Sequence, residues 1–397
     1  VNNTFMFFER QIYPELKRHL KVRQITVITG MRQTGKTTLL KRLLEDIKSE
    51  NKLYLDLERL DHREIFQEKN YDLVLKALES LGLKLDKKIY LAIDEIQMFS
   101  NLPSVMKYLY DHHDIKFIVT GSSSYYLKNL FSESLSGRKR IFELFPLTFG
   151  EFLIFKQQLF KSSNFLTAPF LSSEYERLKG YYEEYISFGG FPDVVLAKTK
   201  KEKVALANDI LSSYFNIDVE TLADFHKSAE LHNLLKLLAV RAGGKVDYSK
   251  LSSMSGLSRI TVKNYVEFLE KTYVIHRLPV LAKRPDREIA KAQKIYLCDT
   301  GILNILVEAS GGVQFENAVF NQLRQSGKLQ YYALKTGREI DFILDGAVAL
   351  ECKETPTSQN LRDLENLARI AGIKKIKLIG RHKSPKFDNF LWGGMIK

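Results

Sequence analysis

Residues 24–38 read QITVITGMRQTGKTT, and this stretch decides the fold of the N-terminal part of the chain. Its first six residues are a β-branched run of strand length, and residues 39–44, LLKRLL, continue in a helical pattern. Between them lies G-x-x-x-x-G-K-T, from Gly30 to Thr37. A loop of this kind between a strand and a helix wraps phosphate groups with its backbone N–H groups, so the sequence predicts a nucleoside triphosphate site.

The side chains of this loop have separate predicted tasks. Lys36 reaches the β- and γ-phosphates, and the Thr37 hydroxyl binds Mg²⁺. The alternative interpretation is a glycine turn that carries a surface lysine. The predicted nucleotide-binding residues are Gly30, Thr34, Gly35, Lys36, Thr37, Thr38 and, on a later strand, Ser122.

A second strand supports the same site. Residues 88–93, KIYLAI, are nearly all apolar, as expected of a strand buried on both faces. The strand ends in Asp94 and Glu95. Asp94 is predicted to lie beside the metal, and Glu95 to polarise the attacking water. The alternative is that the acidic pair only caps a helix.

The remaining strands predict the architecture of this domain. Residues 52–57, 115–120 and 141–147 alternate with helices, which is typical of an αβα sheet with ligands at the carboxyl ends of parallel strands. The strand at residues 115–120 leads into Ser122, whose hydroxyl is predicted to lie near the γ-phosphate. Arg138, in SGRKR before the last strand, is predicted to complete a neighbouring subunit's site, and otherwise to lie in a solvated basic turn.

Length and composition limit the class of protein. A chain of 397 residues predicts two or three domains, and 45% hydrophobic with 27% charged residues excludes disorder on a large scale. No segment approaches the roughly 18 uninterrupted apolar residues of a membrane span. The first 20 residues do not resemble a signal peptide. With only Cys298 and Cys352, we expect a protein of the reducing cytoplasm.

Positive charge is concentrated in one region of the sequence. The net charge is +13, and residues 231–300 hold 13 Lys and Arg against 6 Asp and Glu, a net of +7. This concentration favours a nucleic-acid-binding surface, although a window of this length can also be basic by chance.

A helix-turn-helix pattern lies in the same region. Residues 248–256 and 258–269 form two helical segments, with Gly256 in the turn and Ser258 as the cap of the second helix. The apolar residues of the second helix recur at helical spacing and predict its buried face: Val262, Val266 and Leu269. The pattern predicts a winged helix, with a wing strand over residues 273–280. Such a domain binds DNA or serves as a rigid connector between subunits. The predicted DNA-binding residues are Arg259, Thr261, Lys263, Lys283, Arg284 and Arg287.

The C-terminal part follows an α-β-β-β-α-β order and carries a second polar group. Glu316 lies on a helix, Asp341 on a strand, and Glu351 and Lys353 on one face of the next strand. Two carboxylates that hold Mg²⁺, a lysine that orients or activates water, and a further helix carboxylate are typical of a metal-dependent phosphodiesterase. The alternative is an exposed, salt-bridged edge.

The hairpin between the two strands tests this interpretation. A two-residue turn at Asp345 and Gly346 would pair Asp341 with Leu350, and Glu351 would then face away from Asp341. A shared metal therefore requires a three-residue loop or a bulge, and we predict one of these.

Several motifs together resemble a known family. They are GMRQTGKTT, IYLAIDEIQ, FIVTGSSS, LSGRKR, FPLTFGEFL, GGFPDVV, KIYLCDTGILN, REIDFIL and LECK. The family consists of prokaryotic AAA-type (AAA+-like) P-loop ATPases with a winged helix and a restriction-endonuclease-like, PD-(D/E)xK, C-terminal domain. The resemblance implies ATP as the nucleotide, Mg²⁺ and self-association. It also implies nucleotide and metal roles for Lys36, Thr37, Asp94 and Glu95.

The same resemblance extends to the other predicted sites. Arg138 matches the arginine before the last strand, supplied in trans to a neighbouring subunit. The nuclease-like pattern is matched by Glu316, Asp341, Glu351 and Lys353, with the three carboxylates as metal ligands and the last three residues as catalytic groups.

The fold prediction is therefore an α/β chain of four parts. They are a P-loop ATPase core at 1–147, a helical lid at 148–230, a winged helix at 231–282 and a restriction-endonuclease-like domain at 283–397. Three functions remain open: an ATP-driven enzyme that acts on DNA, an ATP-switched regulatory or signalling scaffold that makes protein contacts, and a nuclease whose ATPase gates cutting.

Overall fold

A computed structural model describes residues 7–122, 135–159, 165–167, 170–222, 228–282 and 291–396. The chain divides into two compact units. The first ends at Phe145 and also includes Lys271–Tyr273, and the second contains the rest of the chain from Pro146. No helix among the described residues is long and apolar enough to cross a membrane.

The first unit is built on a parallel five-stranded sheet in the order β2-β3-β4-β1-β5. Its central strands are buried along their whole length, which explains why they read as continuous apolar runs. The strands are β1 (Ile25–Thr29), β2 (Lys52–Asp56), β3 (Ile89–Asp94), β4 (Ile115–Gly121) and β5 (Lys139–Glu143). The helices are α1 (Tyr13–His19), α2 (Lys36–Glu45), α3 (Leu60–Glu64), α4 (Tyr71–Ser80) and α5 (Leu102–His112).

This sheet confirms the predicted αβα core, with one correction. The last strand was expected at 141–147, but it spans Lys139–Glu143. Pro146 has no N–H to donate to a neighbouring strand, so an apolar run that contains it does not continue the sheet. Leu144 still donates its N–H to the Thr29 carbonyl at 2.7 Å, which fixes the chain beside the P-loop.

Helices dominate the first part of the second unit. They are α6 (Phe149–Phe155), α7 (Ser172–Phe188), α8 (Pro192–Leu196), α9 (Lys200–Ser213) with a π-helical continuation (Tyr214–Leu222), and α10 (Ser228–Ala239). Aromatic residues of this segment form part of a core. Tyr182 lies edge-on to Phe149, Phe315 and Trp392, with ring centroids 4.8, 6.5 and 5.3 Å apart. Side chains between Phe149 and Val195 therefore share a core with the C-terminal sheet, and the role of residues 148–230 as a lid stays a prediction.

Two of the motifs meet inside this unit. In GGFPDVV, Gly189 has φ +80°, and a Cβ there would lie 1.9 Å from the Asp299 carboxylate of CDTG. That carboxylate accepts the Gly190 N–H at 2.7 Å and the Gly301 N–H at 2.8 Å. The absence of a side chain at Gly189 is thus what allows the buried aspartate to cap the following helix, α13 (Thr300–Leu306).

The predicted helix-turn-helix is present. It consists of α11 (Tyr248–Ser255) and α12 (Arg259–Lys271), with Gly256 at φ +71° between them. Ser258 caps α12 by accepting the Thr261 N–H at 3.1 Å, and the three predicted apolar residues of α12 are fully buried. A two-stranded antiparallel sheet follows, β6 (Ile275–Leu278) and β7 (Lys294–Leu297).

The C-terminal elements follow the predicted order. They are α14 (Gly311–Leu323), β8 (Leu329–Ala333), β9 (Glu339–Leu344), β10 (Val348–Lys353), α15 (Ser358–Ala371), β11 (Lys375–Gly380) and β12 (Leu391–Trp392). The sheet has the order β12-β11-β10-β9-β8. Val348 pairs with Leu344, which leaves a three-residue loop and confirms the hairpin prediction. This register brings Asp341 and Glu351 opposite each other.

Candidate nucleotide site and carboxylate cluster

The backbone of the P-loop requires glycine at two positions. Gly30 has φ +154°, and a Cβ there would lie 2.1 Å from the Leu144 carbonyl oxygen. Gly35 has φ +94° at the beginning of α2, and Gln33 also adopts a left-handed conformation with φ +61°. These residues turn the chain so that the loop closes between β1 and α2, where its N–H groups can surround a phosphate.

Lys36 is 4% exposed and is held by the loop itself. Its Nζ donates to the Gly30 and Met31 carbonyls, each at 3.0 Å. Thr34 is buried and also donates to Met31, at 2.9 Å, whereas Thr37 is half-buried and Thr38 is exposed. The predicted phosphate-binding residues are therefore brought together on one loop.

Arg10 is a residue of this site that the sequence did not reveal. Its guanidinium is 6% exposed and donates to the Thr34 carbonyl at 2.8 Å and to the Phe145 carbonyl at 2.7 Å. It thus joins the N-terminal segment, the P-loop and the segment after β5. An arginine 20 residues before the loop carries no local signal of such a role.

The sheet order brings the two predicted acidic residues to the P-loop edge. Strand β4 lies between β1 and β3, so the carboxyl ends of all three meet. Asp94 is 2% exposed and accepts hydrogen bonds from Tyr54, at 3.0 Å, and from the Thr120 hydroxyl. Thr120 also accepts the backbone N–H of Glu95 at 3.2 Å, where the chain takes a left-handed turn with φ +54°.

Gln97 connects Glu95 with Ser122, the predicted γ-phosphate sensor. Its Nε2 donates to the Glu95 carboxylate and to Ser122 Oγ, the latter at 3.0 Å. The side chain is 8% exposed, and its Oε1 is buried without a hydrogen-bond partner within the described part of the chain. The sequence prediction missed Gln97, although an amide directly after the acidic pair, in an apolar segment, was the available signal.

Oxygen donors suitable for Mg²⁺ collect at this edge. The contacts of Asp94 named above come from neutral hydroxyl groups, and the contact of Glu95 comes from a neutral amide. Neutral partners do not cancel the carboxylate charges, and burial followed by the charge of Glu95 raises the pKa of Glu58. A carboxylate and a threonine hydroxyl beside a triphosphate fit a hard divalent cation. The residues that would hold it are Thr37 and Asp94.

Arg138 makes a contact within its own unit. Its guanidinium forms a two-point ion pair with Asp111, at 2.8 and 3.0 Å, and both side chains are about one-third exposed. This ion pair does not distinguish an arginine that completes a neighbouring subunit's site from one in a solvated basic turn. A partly exposed ion pair can be exchanged for another anionic partner at small cost.

The second group of predicted residues also comes together, on β9, β10 and α14. Asp341 accepts the Cys352 N–H at 2.9 Å and donates its own N–H to Glu351 Oε2 at 3.3 Å. Lys353 Nζ lies 2.8 Å from Glu351 Oε1. We refer to Glu316, Glu339, Asp341 and Glu351 as the carboxylate cluster.

Lys294 lies inside this cluster and was not predicted. Its Nζ is 2.9 Å from Glu339 Oε1, 3.4 Å from Glu316 Oε1 and 3.5 Å from Asp341 Oδ1, and its side chain is 2% exposed. Burial alone would lower the pKa of Lys294, but the charges of the three carboxylates raise it above its ordinary value. The lysine is therefore a buried ammonium ion.

The predicted metal ligands do not fit a divalent cation in this arrangement. Among the described residues, no group of three His, Cys, Asp or Glu side chains could hold a metal ion. Burial, followed by the negative charge of Asp341, raises the pKa of both Glu316 and Glu351. The cluster is thus stabilised by two ammonium groups, one of which occupies the space between Glu316 and Asp341.

The predicted DNA-binding residues have different positions. Arg259 and Lys263 are exposed on α12, and Thr261 is half-exposed with its hydroxyl bonded to Ser258 at 2.8 Å. Lys283, Arg284 and Arg287 lie outside the described residues. The basic surplus of this region also includes side chains with internal roles, namely Lys294 and Arg277, which pairs with Glu270.

Arg259 and Lys263 line a cleft of about 710 Å³ within the second unit. Lys245, Arg277 and Lys291 also line it, together with Tyr248 and the acidic residues Asp247 and Glu267. Basic residues outnumber acidic residues in this lining, although Arg277 and Lys245 are paired with Glu270 and Glu339. Lys245 and Lys291 lie outside the helix-turn-helix pattern, which explains why the sequence did not associate them with it.

Comparison with known proteins identifies one part of the chain. Residues 22–153 match a family described as an AAA domain. The P-loop, Asp94, Glu95 and Ser122 all lie within the matched residues, which we call the AAA domain, and the match supports an AAA-type P-loop ATPase. Residues 179–312 match a domain family of unknown function, so the winged-helix and nuclease-like assignments stay predictions.

Relatives match most of this chain at low identity. An uncharacterized protein of Haemophilus influenzae is 27% identical over 379 residues, which cover 90% of this chain and 89% of the relative. An uncharacterized protein of Methanocaldococcus jannaschii is 28% identical over 373 residues, covering 89% and 80%. Among solved structures, a Walker-type ATPase of Pyrococcus abyssi aligns with a TM-score of 0.48 and 15% identity, covering 76% of this chain and 96% of that one.

Proposed function

We propose that this protein is a Mg²⁺-dependent ATPase that couples ATP binding and hydrolysis to the binding or remodelling of DNA. The observation that carries the ATPase part is the meeting of the P-loop with Asp94, Glu95 and Ser122 at one sheet edge of the AAA domain. The observation that supports the DNA part is the basic cleft beside α12.

The proposed ATPase chemistry divides among residues already described. Lys36 would transfer its hydrogen bonds from the loop carbonyls to the β- and γ-phosphates. Glu95 would accept a proton from the attacking water, and Ser122 would contact the γ-phosphate. Mg²⁺, held through Thr37 and Asp94, would supply charge compensation on the phosphate oxygens.

Gln97 is suited to position the groups of this reaction. Its amide nitrogen already contacts both Glu95 and Ser122, and its unpartnered Oε1 is an acceptor for a water hydrogen. A single side chain that contacts the base and the sensor would link water activation to the presence of the γ-phosphate.

The cleft supports a contact with the nucleic-acid backbone. Arg259 and Lys263 present charge at the beginning of α12, and Lys245 and Lys291 extend the positive surface beyond this helix. Phosphate contacts of this kind provide affinity without sequence information and weaken as salt rises. Tyr248, over which Lys263 lies at 5.8 Å from the ring centroid, adds an aromatic face for stacking.

The test is ATP turnover by purified protein without DNA and with single-stranded, duplex or four-way DNA. We expect DNA to stimulate turnover, and Lys36→Ala to abolish it. Replacing Arg259 and Lys263 by alanine should weaken DNA binding and reduce its salt dependence, because each phosphate contact contributes about one unit to the salt slope. Lys250→Ala is the matched control, because Lys250 is an exposed lysine on α11 that does not line the cleft.

Two other outcomes would select the other functions. ATP turnover that DNA does not change, together with unchanged DNA affinity in the Arg259 and Lys263 variants, would favour an ATP-switched scaffold with protein partners. Plasmid nicking in Mg²⁺ or Mn²⁺ that survives Lys36→Ala and disappears in Glu351→Ala would favour a nuclease. Absence of Mg²⁺-dependent affinity for nucleoside triphosphates would contradict the proposal as a whole.

Self-association with Arg138 acting in trans is part of the proposal. Arg138→Ala should lower turnover, and mixing it with Glu95→Gln protein should restore activity, because a site formed between the two proteins takes an intact Glu95 from one subunit and an intact Arg138 from the other. Asp111→Ala is the control, since it breaks the same ion pair and leaves the arginine. If Arg138→Ala and Asp111→Ala lose equal amounts of turnover, and mixing does not restore it, Arg138 acts in the structure of its own subunit.

A further inference from the structure

We propose that the ammonium group of Lys294 is the resident cation of the carboxylate cluster, and that it takes the position of a divalent metal. The native cluster then binds no Mg²⁺ or Mn²⁺, and replacing Lys294 by a neutral residue of similar length converts the cluster into a divalent-cation site. This inference concerns the C-terminal sheet and does not depend on the ATPase function proposed above.

The position of Lys294 supports the first part. Its Nζ lies within 3.5 Å of carboxylate oxygens from three residues, Glu316 on α14 and Glu339 and Asp341 on β9. Glu316 and Asp341 are two of the three predicted metal ligands. An ion coordinated by both would lie between their oxygens, and this is the space that the ammonium fills.

The surroundings of Lys294 form a complete cation site. The face of the Tyr331 ring lies 5.7 Å from Nζ, and the Tyr296 hydroxyl donates to Glu316 Oε1 at 2.7 Å. Carboxylates supply negative charge on one side, and an aromatic face supplies a weaker attraction on another. A long flexible lysine trapped by chance would not be expected to have charged, aromatic and hydrogen-bonded neighbours together.

The backbone holds the lysine in this place. Lys294 is the first residue of β7, where it pairs with Leu278 of β6 and forms an isolated bridge with Lys245. Gly243, with φ +78°, brings the adjoining turn to Glu316, where even a Cβ would lie 3.1 Å from Oε1. The chain on both sides of the cluster is thus fixed, and the side chain reaches the carboxylates without a mobile segment.

Electrostatics exclude simultaneous occupancy by a divalent ion. A metal ligated by Glu316 and Asp341 would lie a few ångströms from the ammonium, and like charges repel strongly in a buried site. Removal of Lys294 alone would leave several buried carboxylates without compensation, which is severely destabilising. A divalent cation can relieve that excess charge because carboxylate oxygens are its preferred ligands.

The test is Mn²⁺ binding, followed by electron paramagnetic resonance, to nucleotide-free full-length protein. All variants carry Lys36→Ala, so that the P-loop site contributes equally. We expect Lys294→Gln to gain a Mn²⁺ site that the parent lacks, with an affinity at least about tenfold above any residual Mn²⁺ binding of the parent, which corresponds to about 1.4 kcal/mol. Asp341→Asn added to Lys294→Gln should abolish the gain, and Mn²⁺ should raise the melting temperature of Lys294→Gln only.

Lys245→Gln is the matched control. Lys245 also pairs with Glu339, at 3.0 Å, and lies over the same Tyr331 ring, but its side chain is 38% exposed. This variant should gain no Mn²⁺ affinity. If Lys294→Gln does not fold, Mn²⁺ binding is measured on Lys294→Met and on the unmodified chain instead.

One result overturns the inference whatever the Lys294 variants show. It is Mn²⁺ binding by the unmodified chain that disappears in Asp341→Asn or Glu316→Gln and persists in Asp94→Asn. A folded Lys294→Gln or Lys294→Met protein without added Mn²⁺ affinity would equally contradict it. Failure of the ATPase proposal would appear elsewhere, as absent nucleotide binding in protein with Lys36 intact.

Discussion

The two acidic sites of the molecule are built from similar carboxylates with opposite kinds of partner. At the P-loop edge, Asp94 and Glu95 accept hydrogen bonds from hydroxyl and amide groups, which are neutral. In the carboxylate cluster, Lys294 and Lys353 supply ammonium groups to Glu339 and Glu351 at 2.9 and 2.8 Å. Neutral donors orient a carboxylate and preserve its charge for a cation, whereas ammonium groups both orient and neutralise it.

Because of this difference, two groups of acidic residues that both resemble metal sites are not equally suited to bind a metal. Both sites contain acidic residues at spacings that suggest metal chemistry, and both collect those residues on neighbouring strands. In the carboxylate cluster, the ammonium group of Lys294 lies between Glu316 and Asp341, two of the predicted metal ligands. The AAA domain is therefore the part of the chain in which we expect Mg²⁺ chemistry.

Matched substitutions at the two sites provide the largest expected contrast. Glu95→Gln removes the proposed general base, so ATP turnover should fall by about 10²–10⁴-fold while ATP affinity is retained. Glu351→Gln makes the same chemical change in the carboxylate cluster and should leave ATP turnover unchanged. Steady-state ATPase rates and nucleotide affinity measured on both variants check this. Equal losses of ATP turnover in Glu95→Gln and Glu351→Gln would contradict the assignment of ATP hydrolysis to the P-loop edge alone.

Gln97→Ala should have an intermediate effect at the P-loop edge. Loss of the amide frees Glu95 and Ser122 from each other, so kcat should fall by roughly tenfold while KM for ATP changes little. In the double variant, Ser122→Ala should lower kcat by less than it does alone, because both substitutions remove the hydrogen bond between Gln97 and Ser122.

The exposed Gln67 supplies the control for that experiment, as Gln67→Ala. An increase in KM at constant kcat would assign Gln97 to nucleotide binding. A common fall in kcat and melting temperature would assign it to the structure of the sheet edge.

The sequence predicted those features that depend on local pattern. The P-loop, the acidic end of β3, the helix-turn-helix and the three-residue hairpin each follow from spacing or alternation within a short segment. The predicted bounds of β5 were wrong because apolar residues continue to Leu147, past Pro146. Pro146 has no N–H to donate to a neighbouring strand, so the sheet does not extend that far.

Residues that reach a site from distant segments could not be predicted in the same way. Arg10, Tyr54 and Lys294 join their sites through tertiary packing, and nothing in their immediate neighbours distinguishes them from surface residues. Lys294 was even counted toward a DNA-binding surplus, although it is buried and paired. Net charge in a window does not reveal which charges face solvent.

Asp299 is a third kind of buried carboxylate and gives the smallest expected effect. Its oxygens accept only backbone N–H groups among the hydrogen bonds described here, from Gly190, Gly301 and Ile302. Burial raises the pKa of Asp299 to about 6, and the backbone hydrogen bonds oppose this shift without cancelling it. Backbone N–H groups thus leave the pKa of a buried carboxyl raised, as the pKa values of Glu316 and Glu351 also are beside the ammonium groups of the carboxylate cluster.

The sign of the resulting pH dependence follows from the raised pKa. The folded protein holds the Asp299 proton to a higher pH than the unfolded chain, whose carboxyl has a pKa of 3.8. The contribution of Asp299 to stability is therefore present at low pH and lost as pH rises from about 4 to 6. Asn cannot titrate, so Asp299→Asn should reduce the free energy of unfolding by about 1 kcal/mol more at pH 5 than at pH 8.

Denaturant unfolding of the second unit at both pH values measures this difference. Asp247→Asn is the control, because Asp247 also accepts two backbone N–H groups at a helix beginning, from Ser249 and Lys250, but is exposed. Water screens its charge in both states, so the effect of that substitution should vary less between the two pH values. If Asp299→Asn instead has its larger effect at pH 8, the charged carboxylate is the stabilised form. The backbone N–H groups would then outweigh the cost of burying the charge of Asp299.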